Sequence, residues 1–231
     1  MLGAIARTIA RLLLQREWTF VRCYIEEIIA SGRTHSDLDP PLLAQRLLVS
    51  AEDHRHGRHA GFDLHAVCRA VFRRIVSGRR EGASTIEQQI VRVVTKRFEL
   101  TLCRKLGEIL LASLIASHFP KSVTPLVYLK IGYYGWQMNS YTQACSRLKL
   151  QPNKLSLDEA AALVARLKYP EPRISPPKRV TQIAQRTEHL KRLYRTHIIG
   201  GTYNHLGIEK YGSIIRGTRK FTEVISSAPV A

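Results

Sequence analysis

Apolar residues recur at the spacing of amphipathic helices along most of this chain, and residues typical of helix starts precede several of these runs. "GFDLHAVCRAVFRRIVSG" has Asp63 at the N-cap position, one apolar face and Gly78 as a stop signal. "LSLDEAAALVARLK" opens with the capping-box pair Ser156 and Glu159. Alternating patterns typical of strands are scarce, so the sequence predicts an all-α fold.

The other predicted helices begin at similar signals. Asp39 is predicted to cap a helix that continues to about Glu52, with Pro40 or Pro41 in its first turn. Ser84 and Glu87 form a second capping-box pattern in "GASTIEQQIVR". Further helices are predicted at Thr101–Ser117, from Thr124 and Pro125, and over a last long segment that carries Val180, Ile183, Ala184, Thr187, Leu190, Leu193 and Tyr194.

Charge and cysteine content narrow the function classes only in part. The chain has 231 residues, enough for one large domain or two small ones, with one domain as the default, and a net charge of +18, which favours a polyanionic partner. Nucleic acid, an anionic membrane surface and a phosphorylated substrate remain open. The four cysteines show no metal-binding spacing, and three lie in apolar periodic segments, where we expect buried thiols.

The N-terminal "MLGAIARTIARLLLQREWTF" is amphipathic. Arg7, Arg11 and Arg16 interrupt it, so it lacks the run of about 18 apolar residues that a membrane span needs. It also lacks a signal-peptide cleavage signature. Two interpretations stay open: a helix lying in a membrane interface, or a helix packed on the domain.

The loop "AEDHRHGRHAGFD" places two carboxylates beside several histidines. Glu52 and Asp53 fall at a predicted helix end, where the negative pole of the helix dipole favours a carboxylate acting as proton acceptor. The alternative is an exposed polar cap. His54, His56 and His59 also allow a structural zinc site, although no thiolate or HExxH helix supports it.

A cationic cluster surrounds a carboxylate further along. In "LCRKLGEILLA", Arg104 and Lys105 lie one turn before Glu108 on one side of a helix. This pattern is typical of a solvated ion-pair face, but together with upstream bases it suits a pyrophosphate. Those upstream bases are Arg92, Lys96 and Arg97.

The order of these elements resembles the glycosyltransferase family 51 peptidoglycan polymerases, which include the transglycosylase domains of class A penicillin-binding proteins. The family motifs read EDxxFxxHxG, GASTITQQ, RKxxE and KxxILExYLN, and the resemblance covers roughly residues 42–195. It implies an all-α, lysozyme-like, two-lobed glycosyltransferase fold. It divides the chain into an N-terminal membrane-proximal region (1–38), the glycosyltransferase domain (39–199) and a poorly patterned tail (200–231).

The resemblance also implies site residues. Glu52 matches the catalytic glutamate that takes the proton from the acceptor sugar's 4-hydroxyl. Glu108 matches the glutamate of the third motif, which supports the pyrophosphate site and is implied as a ligand of Mg²⁺ or Mn²⁺; no organic cofactor is implied. Matching substrate-binding positions are Asp53, His59, Gly61, Gly82, Ser84, Thr85, Gln88, Gln89, Arg92, Arg104 and Lys105, with Arg92 standing where the family usually has lysine.

Several positions depart from the family pattern. His56 replaces the aromatic residue of the first motif, and Glu87 replaces the threonine of the second. In the fourth motif Leu126 stands in place of glutamate and Lys130 in place of asparagine.

The implied function is polymerisation of lipid II into glycan strands, with inversion at C1 and release of undecaprenyl pyrophosphate. The implied partners are lipid II, the growing glycan strand, the membrane surface and other cell-wall synthesis proteins, without nucleic acid. The implied location is the outer, periplasmic face of a bacterial inner membrane, either peripheral or anchored. Three alternatives stay open: an inactive or regulatory family member, a lysozyme-like lytic enzyme and a basic nucleic-acid-binding helical protein.

Overall fold

A computed structural model of the chain describes residues 2–34, 36–78 and 82–206. Within these ranges the structure is helical, with two isolated β-bridges at Gly135 and no extended strand, which confirms the all-α prediction. The α-helices are α1 (Leu2–Leu13), α2 (Gln15–Thr34), α3 (Leu42–Glu52), α4 (Leu64–Ser77), α5 (Ile86–Thr95), α6 (Leu102–His118), α7 (Val123–Ile131), α8 (Tyr141–Leu148), α9 (Leu157–Lys168) and α10 (Pro177–Ile199). Short 3-10 turns lie at Ser36–Leu38, His56–Arg58 and Asn204–Leu206.

Helix α3 lies inside the helical assembly and packs against α7, α9 and α10. Its residues Leu47 and Leu48 are fully buried, as the apolar stripe predicts. Helix α5 packs against both α6 and α7. Because α3 ends at Glu52, the packing of this buried helix fixes the position of the Glu52 backbone, from which the carboxylate extends.

Several predicted helix ends are confirmed and two shift. Asp63 caps α4 by accepting from the His65 backbone N–H, and a complete capping box opens α9. The prediction for α3 is wrong in detail: Pro41 is the N-cap, and Asp39 instead pairs with Lys130. Helix α7 begins at Val123, so Pro125 lies within its first turn, where a missing N–H costs no helical hydrogen bond.

The predicted cap of α5 is also wrong. Thr85, not Ser84, is the N-cap, and its side chain accepts from the Gln88 backbone N–H. Glu87 makes no capping box, because its side chain points into the protein and is fully buried. The hydroxyl of Ser84 instead accepts hydrogen bonds from side chains of α5 and α6.

Two apolar surfaces face solvent. On α4, Phe72 is 65% exposed and Ile75 is 78% exposed, so the apolar face predicted from periodicity does not pack into the core. On α1, Leu12 and Leu13 are exposed while Ala10 is buried, and the helix packs against α6. The N-terminal segment therefore packs on the domain and still presents apolar side chains outward.

The expectation that three of the four cysteines are buried is wrong. Cys145 is buried, whereas Cys23, Cys68 and Cys103 are exposed. They occupy the outer faces of α2, α4 and α6, where periodicity alone does not distinguish the core side from an apolar surface.

The segment after α10 is ordered as far as it is described. Residues 200–206 turn back onto the domain and bury Tyr203 and Leu206. The rest of the predicted tail, residues 207–231, lies outside the described residues. Among the described helices, none combines the length and apolarity needed to cross a bilayer.

Candidate active site

Glu52 ends α3 and is half-buried beside α5 and α10. Its Oε2 accepts a hydrogen bond of 3.0 Å from Gln89 Nε2, and its Oε1 lies 3.6 Å from Arg186 Nη2. Tyr128 is close by: burial and the negative charge of Glu52 raise the pKa of this phenol well above its ordinary value, so it stays protonated. A small surface pocket joins Glu52 to the loop that precedes α5.

Asp53, His59 and Gly61 connect this helix end to the start of α5. Asp53 Oδ2 accepts from His59 Nε2 at 2.9 Å and from the Ile86 backbone N–H at 3.3 Å. Gly61 has φ of +92°, and a Cβ there would lie 2.2 Å from the Ala112 carbonyl oxygen. The backbone therefore requires glycine at this position.

Three cations converge on Glu108 in α6. Arg92 donates from Nε to Oε1 at 2.8 Å and from Nη2 to Oε2 at 3.2 Å. Arg104 donates to Oε1, and Lys105 donates to Oε2 at 3.3 Å. The predicted cationic cluster with a carboxylate at its centre is thus present in the structure.

Burial and the neighbouring charges shift the pKa values of Glu108 and Lys105. Burial alone would raise the pKa of Glu108, but the hydrogen bonds and positive charges of Arg92, Lys105 and Arg104 lower it, so the group stays ionised. Burial lowers the pKa of Lys105, an effect that Glu108 partly offsets. The cluster contains three positive charges and one negative charge, which leaves an excess suited to an anionic leaving group.

The donor set around Glu108 does not fit a metal ion bound to this carboxylate. An ionised carboxylate has about four acceptor sites, and here each oxygen accepts two hydrogen bonds from cationic groups. A divalent cation at Glu108 would displace at least one of them and face the others' positive charge. The role of Glu108 as a ligand of Mg²⁺ or Mn²⁺ stays a prediction, and this geometry argues against it.

The two glutamines of α5 link the two carboxylate sites. Gln89 contacts Glu52, whereas Gln88 is buried and accepts from Lys105. Ser84 Oγ accepts from Lys105 Nζ at 2.9 Å, which explains why it is not the helix cap. One turn of α5 thus holds the general-base candidate and the cationic cluster in a fixed relation.

Four predicted residues contribute differently from their neighbours. Thr85 caps α5 and donates to the Gly61 carbonyl at 2.7 Å, so it holds the backbone of the loop. Gly82 is exposed, and a Cβ there would meet no neighbouring atom. Lys96 and Arg97 are exposed, and Arg97 pairs with Glu99 rather than with the cluster.

His56 and Glu87, which depart from different motifs, contact each other in the buried interior. His56 Nε2 lies 3.3 Å from Glu87 Oε1 and 2.9 Å from Thr124 Oγ1, while its Nδ1 lies 2.8 Å from His205 Nε2. Lys121 also pairs with Glu87. Both ring nitrogens of His56 are therefore engaged, which disfavours the zinc site proposed for the histidine loop.

Glu87 is held ionised by these neighbours. Burial alone would raise its pKa, but the hydrogen bond from His56 and the charge of Lys121 outweigh burial and lower it far below the ordinary value. The fourth motif loses a glutamate at Leu126, which is buried in the core. The carboxylate that pairs with Lys121 is that of Glu87.

Donor atoms of Asp53, His59 and Glu87 lie within 4.8 Å of one another. His59 Nδ1 accepts from the Gly61 backbone N–H at 3.2 Å, so the ring proton of the neutral histidine is on Nε2, facing Asp53. Lys121 already neutralises Glu87. The cluster therefore fits a hydrogen-bonded network better than a cation site.

Arg186 is a site residue that the sequence reasoning missed. It projects from α10, donates to the Ala51 carbonyl at 2.8 Å and approaches Glu52. Its place in a long helix rich in basic residues gave no local signal. Only the packing of α10 on α3 identifies it.

A family model for transglycosylases matches residues 27–194, most of the chain. The chain belongs to the transglycosylase family. Among transglycosylase relatives, penicillin-binding protein 1A of Neisseria gonorrhoeae is 34% identical over 135 residues, which cover 57% of this chain and 17% of that protein. Penicillin-binding protein 1A of Rickettsia bellii is 29% identical over 157 residues, covering 65% of this chain and 20% of that protein.

The family match confirms the resemblance to glycosyltransferase family 51 that the motifs indicated. The matched region runs from within α2 to within α10 and therefore includes Glu52, Glu108 and the residues that connect them. The aligned part spans about one fifth of the curated relatives' length. Membership in this transglycosylase family supports the peptidoglycan glycosyltransferase class.

Proposed function

We propose that this chain polymerises lipid II, with Glu52 as the general base and the Arg92, Arg104 and Lys105 cluster as the site for the donor's pyrophosphate. The observation that carries the proposal is the arrangement around α5, which places Gln89 against Glu52 and Gln88 against Lys105. One helical turn thereby connects a proton acceptor to the cationic cluster, as glycosyl transfer from a pyrophosphate donor requires.

In the proposed step, Glu52 takes the proton from the acceptor's 4-hydroxyl as that oxygen bonds to C1 of the donor sugar with inversion. The bond between C1 and the pyrophosphate oxygen breaks, and undecaprenyl pyrophosphate leaves with the electron pair. The excess positive charge around Glu108 stabilises the charge that develops on the leaving group. Arg186 restrains the position of Glu52 from the α10 side.

The exposed apolar surfaces support a membrane location for this reaction. Leu12 and Leu13 on α1, and Phe72 and Ile75 on α4, are all exposed, and arginines interleave with them along both helices. We propose that these faces lie in the membrane interface that presents the lipid-linked substrate, at the outer face of the inner membrane. Flotation with vesicles containing anionic phospholipid tests this. Phe72→Ser with Ile75→Ser is expected to weaken binding, and unchanged binding contradicts the proposed orientation.

A comparison of two substrates separates polymerisation from lysis. Purified wild-type chain is incubated either with lipid II in detergent or with purified glycan strands, and products are separated by gel and chromatography. We expect consumption of lipid II only, because a hydrolase of neutral glycans has no use for a pyrophosphate pocket. Consumption of glycan strands only would overturn the proposal in favour of a lytic enzyme.

Glu108→Gln gives a second test of the assignment. The substitution keeps the shape of the side chain but removes the negative charge that holds three cations together. We expect turnover to fall at least about a hundredfold, the scale of losing one preorganised electrostatic group. Turnover within about twofold of wild type would show that the cluster is not the leaving-group site.

A further inference from the structure

Two consecutive residues at the end of α3, Ser50 and Ala51, are held by α10 and by the segment that follows it. Ser50 is buried and hydrogen-bonds both to Tyr203 Oη and, at 2.9 Å, to His197 Nδ1. The next carbonyl, that of Ala51, accepts from Arg186. The last helical turn before Glu52 therefore has its hydrogen-bonding groups fixed from the C-terminal side of the chain.

The loop after Glu52 is held by the same segment. His205 Nε2 lies 2.8 Å from Nδ1 of the buried His56. A Cβ on Gly57 would lie 2.7 Å from His205 Nδ1, so the histidine ring packs directly on this backbone. His56 in turn reaches Glu87 at the start of α5.

The segment is part of the core. Tyr203 is 7% exposed and Leu206 is 3% exposed, and the guanidinium of Arg46 on α3 lies 5.7 Å from the centre of the Tyr203 ring. Tyr203 and His205 thus contact the chain two residues before Glu52 and four residues after it. A short segment that contacts both sides of a reacting group can set its orientation.

We propose that Tyr203 and His205 are positioning residues for Glu52, so that the segment after α10 belongs to the active-site scaffold. They act through Ser50 and His56 and do not touch substrate. The proposal rests on the proposed role of Glu52 as general base. It extends the site beyond the motifs, to residues that follow the region matched by the family model.

The test uses Tyr203→Phe, which deletes the single hydroxyl that bonds Ser50, and His205→Phe, which keeps a ring against Gly57 but removes the bond to His56. Tyr194→Phe is the matched control, because it deletes a hydroxyl from the neighbouring ring, 5.7 Å away. Amide hydrogen exchange over residues 50–59 measures restraint of the loop, and kcat and KM for lipid II measure its consequence.

We expect both variants, and not the control, to exchange faster over residues 50–59. We also expect kcat to fall by about tenfold with KM for lipid II within about twofold, since a misplaced base impairs the chemical step more than substrate binding. Ser50→Ala combined with Tyr203→Phe should cost less than the sum of the two single changes, because both remove the Ser50–Tyr203 hydrogen bond, and the extra cost of Ser50→Ala is the loss of the bond to His197.

Unchanged exchange in both variants overturns the proposal, whether or not the chain is active. Faster exchange with an unaltered kcat also overturns it, because the segment would then stabilise the fold without orienting the base. An inert wild type with intact exchange differences would refute the proposed function and the catalytic part of this inference, while the restraint itself would stand.

Discussion

Replacing His56 and Glu87 together should cost far less stability than the two single replacements suggest. The changes His56→Phe and Glu87→Thr restore the residue types of the family motifs. Each alone leaves the other side of a buried interaction without its partner. Glu87 is 0% exposed, and its Oε2 has no hydrogen-bond partner among the described residues, so its ionised form depends on the groups around Oε1.

The expected magnitudes follow from these contacts. His56→Phe removes a buried hydrogen bond to a charged carboxylate that Lys121 still neutralises, which typically costs about 1.5–3 kcal/mol, and leaves Thr124 and His205 without His56. Glu87→Thr leaves His56 and Lys121 without their acceptor, at about 1–3 kcal/mol. We expect the double variant to lose at least about 2 kcal/mol less than the sum, because contacting residues couple on this scale.

Urea denaturation of the wild type, both single variants and the double variant measures this coupling. Thermal unfolding provides a second readout, since about 3 kcal/mol lowers the Tm of a domain of this size by about 6–12 °C. As a control, His56→Phe is combined with Glu27→Gln, an exposed change on α2 that should be additive. If the changes in unfolding free energy of His56→Phe and Glu87→Thr add within about 0.5 kcal/mol, the two residues are not a coupled pair.

Three further predictions concern the same region. Gly61→Ala should destabilise the chain by several kcal/mol, on the order of other strained backbone sites, because the new Cβ would clash with the Ala112 carbonyl; unaltered urea unfolding would contradict this. Lipid II polymerisation should persist in EDTA, because the acceptor sites of Glu108 are already filled by protein cations; abolition by EDTA with rescue by Mg²⁺ would refute it. Stability should fall on acidification from pH 7. Burial and nearby positive charge lower the pKa of His205 to about 4 from 6.5. Between these pH values the unfolded chain binds this proton and the folded chain does not, which favours unfolding. Glu87, whose pKa is also depressed, adds stability above 4.5 that is lost as the pH falls further. Urea midpoints that are equal at pH 7 and pH 5 would contradict the His205 contribution.

Local sequence signals predicted the helices well because their determinants are local. Asp63 and Gly78 bound α4, and the Ser156 box opens α9, each through contacts within one turn. The cap of α5 was misassigned for a long-range reason: Ser84 is held by Lys105 from another helix, so the adjacent Thr85 serves as cap. Capping preference does not distinguish two neighbouring hydroxyl residues when tertiary contacts decide between them.

Only part of the candidate site could be predicted from the sequence, because its other contacts join residues that are far apart in the chain. Motif spacing predicted Glu52, Glu108 and the cations around Glu108 as site residues, and the structure brings those cations together. It did not show that His56 and Glu87 are partners, because they belong to separate motifs and meet only after folding. Apolar periodicity in α4 marked a face without indicating whether core or solvent covers it.

The role of residues 200–206 had no local signal at all. Gly, Tyr, Asn and His at irregular spacing predict neither helix nor strand. The contribution of Tyr203 and His205 depends on contacts with α3 and the loop after it, roughly 150 residues earlier in the chain. Such contacts are set by tertiary packing.

If Glu52 is the general base of a lipid II polymerase, replacing its carboxylate should stop polymerisation. The most direct measurement compares glycan chains and undecaprenyl pyrophosphate released from lipid II by the wild type, Glu52→Gln and the exposed control Glu27→Gln, with folding checked by circular dichroism. We predict product from the wild type and the control, and loss of product by at least about a hundredfold in Glu52→Gln. Equal turnover by Glu52→Gln and wild type would contradict the assignment of the base, and no product from a folded wild type would contradict the proposed activity.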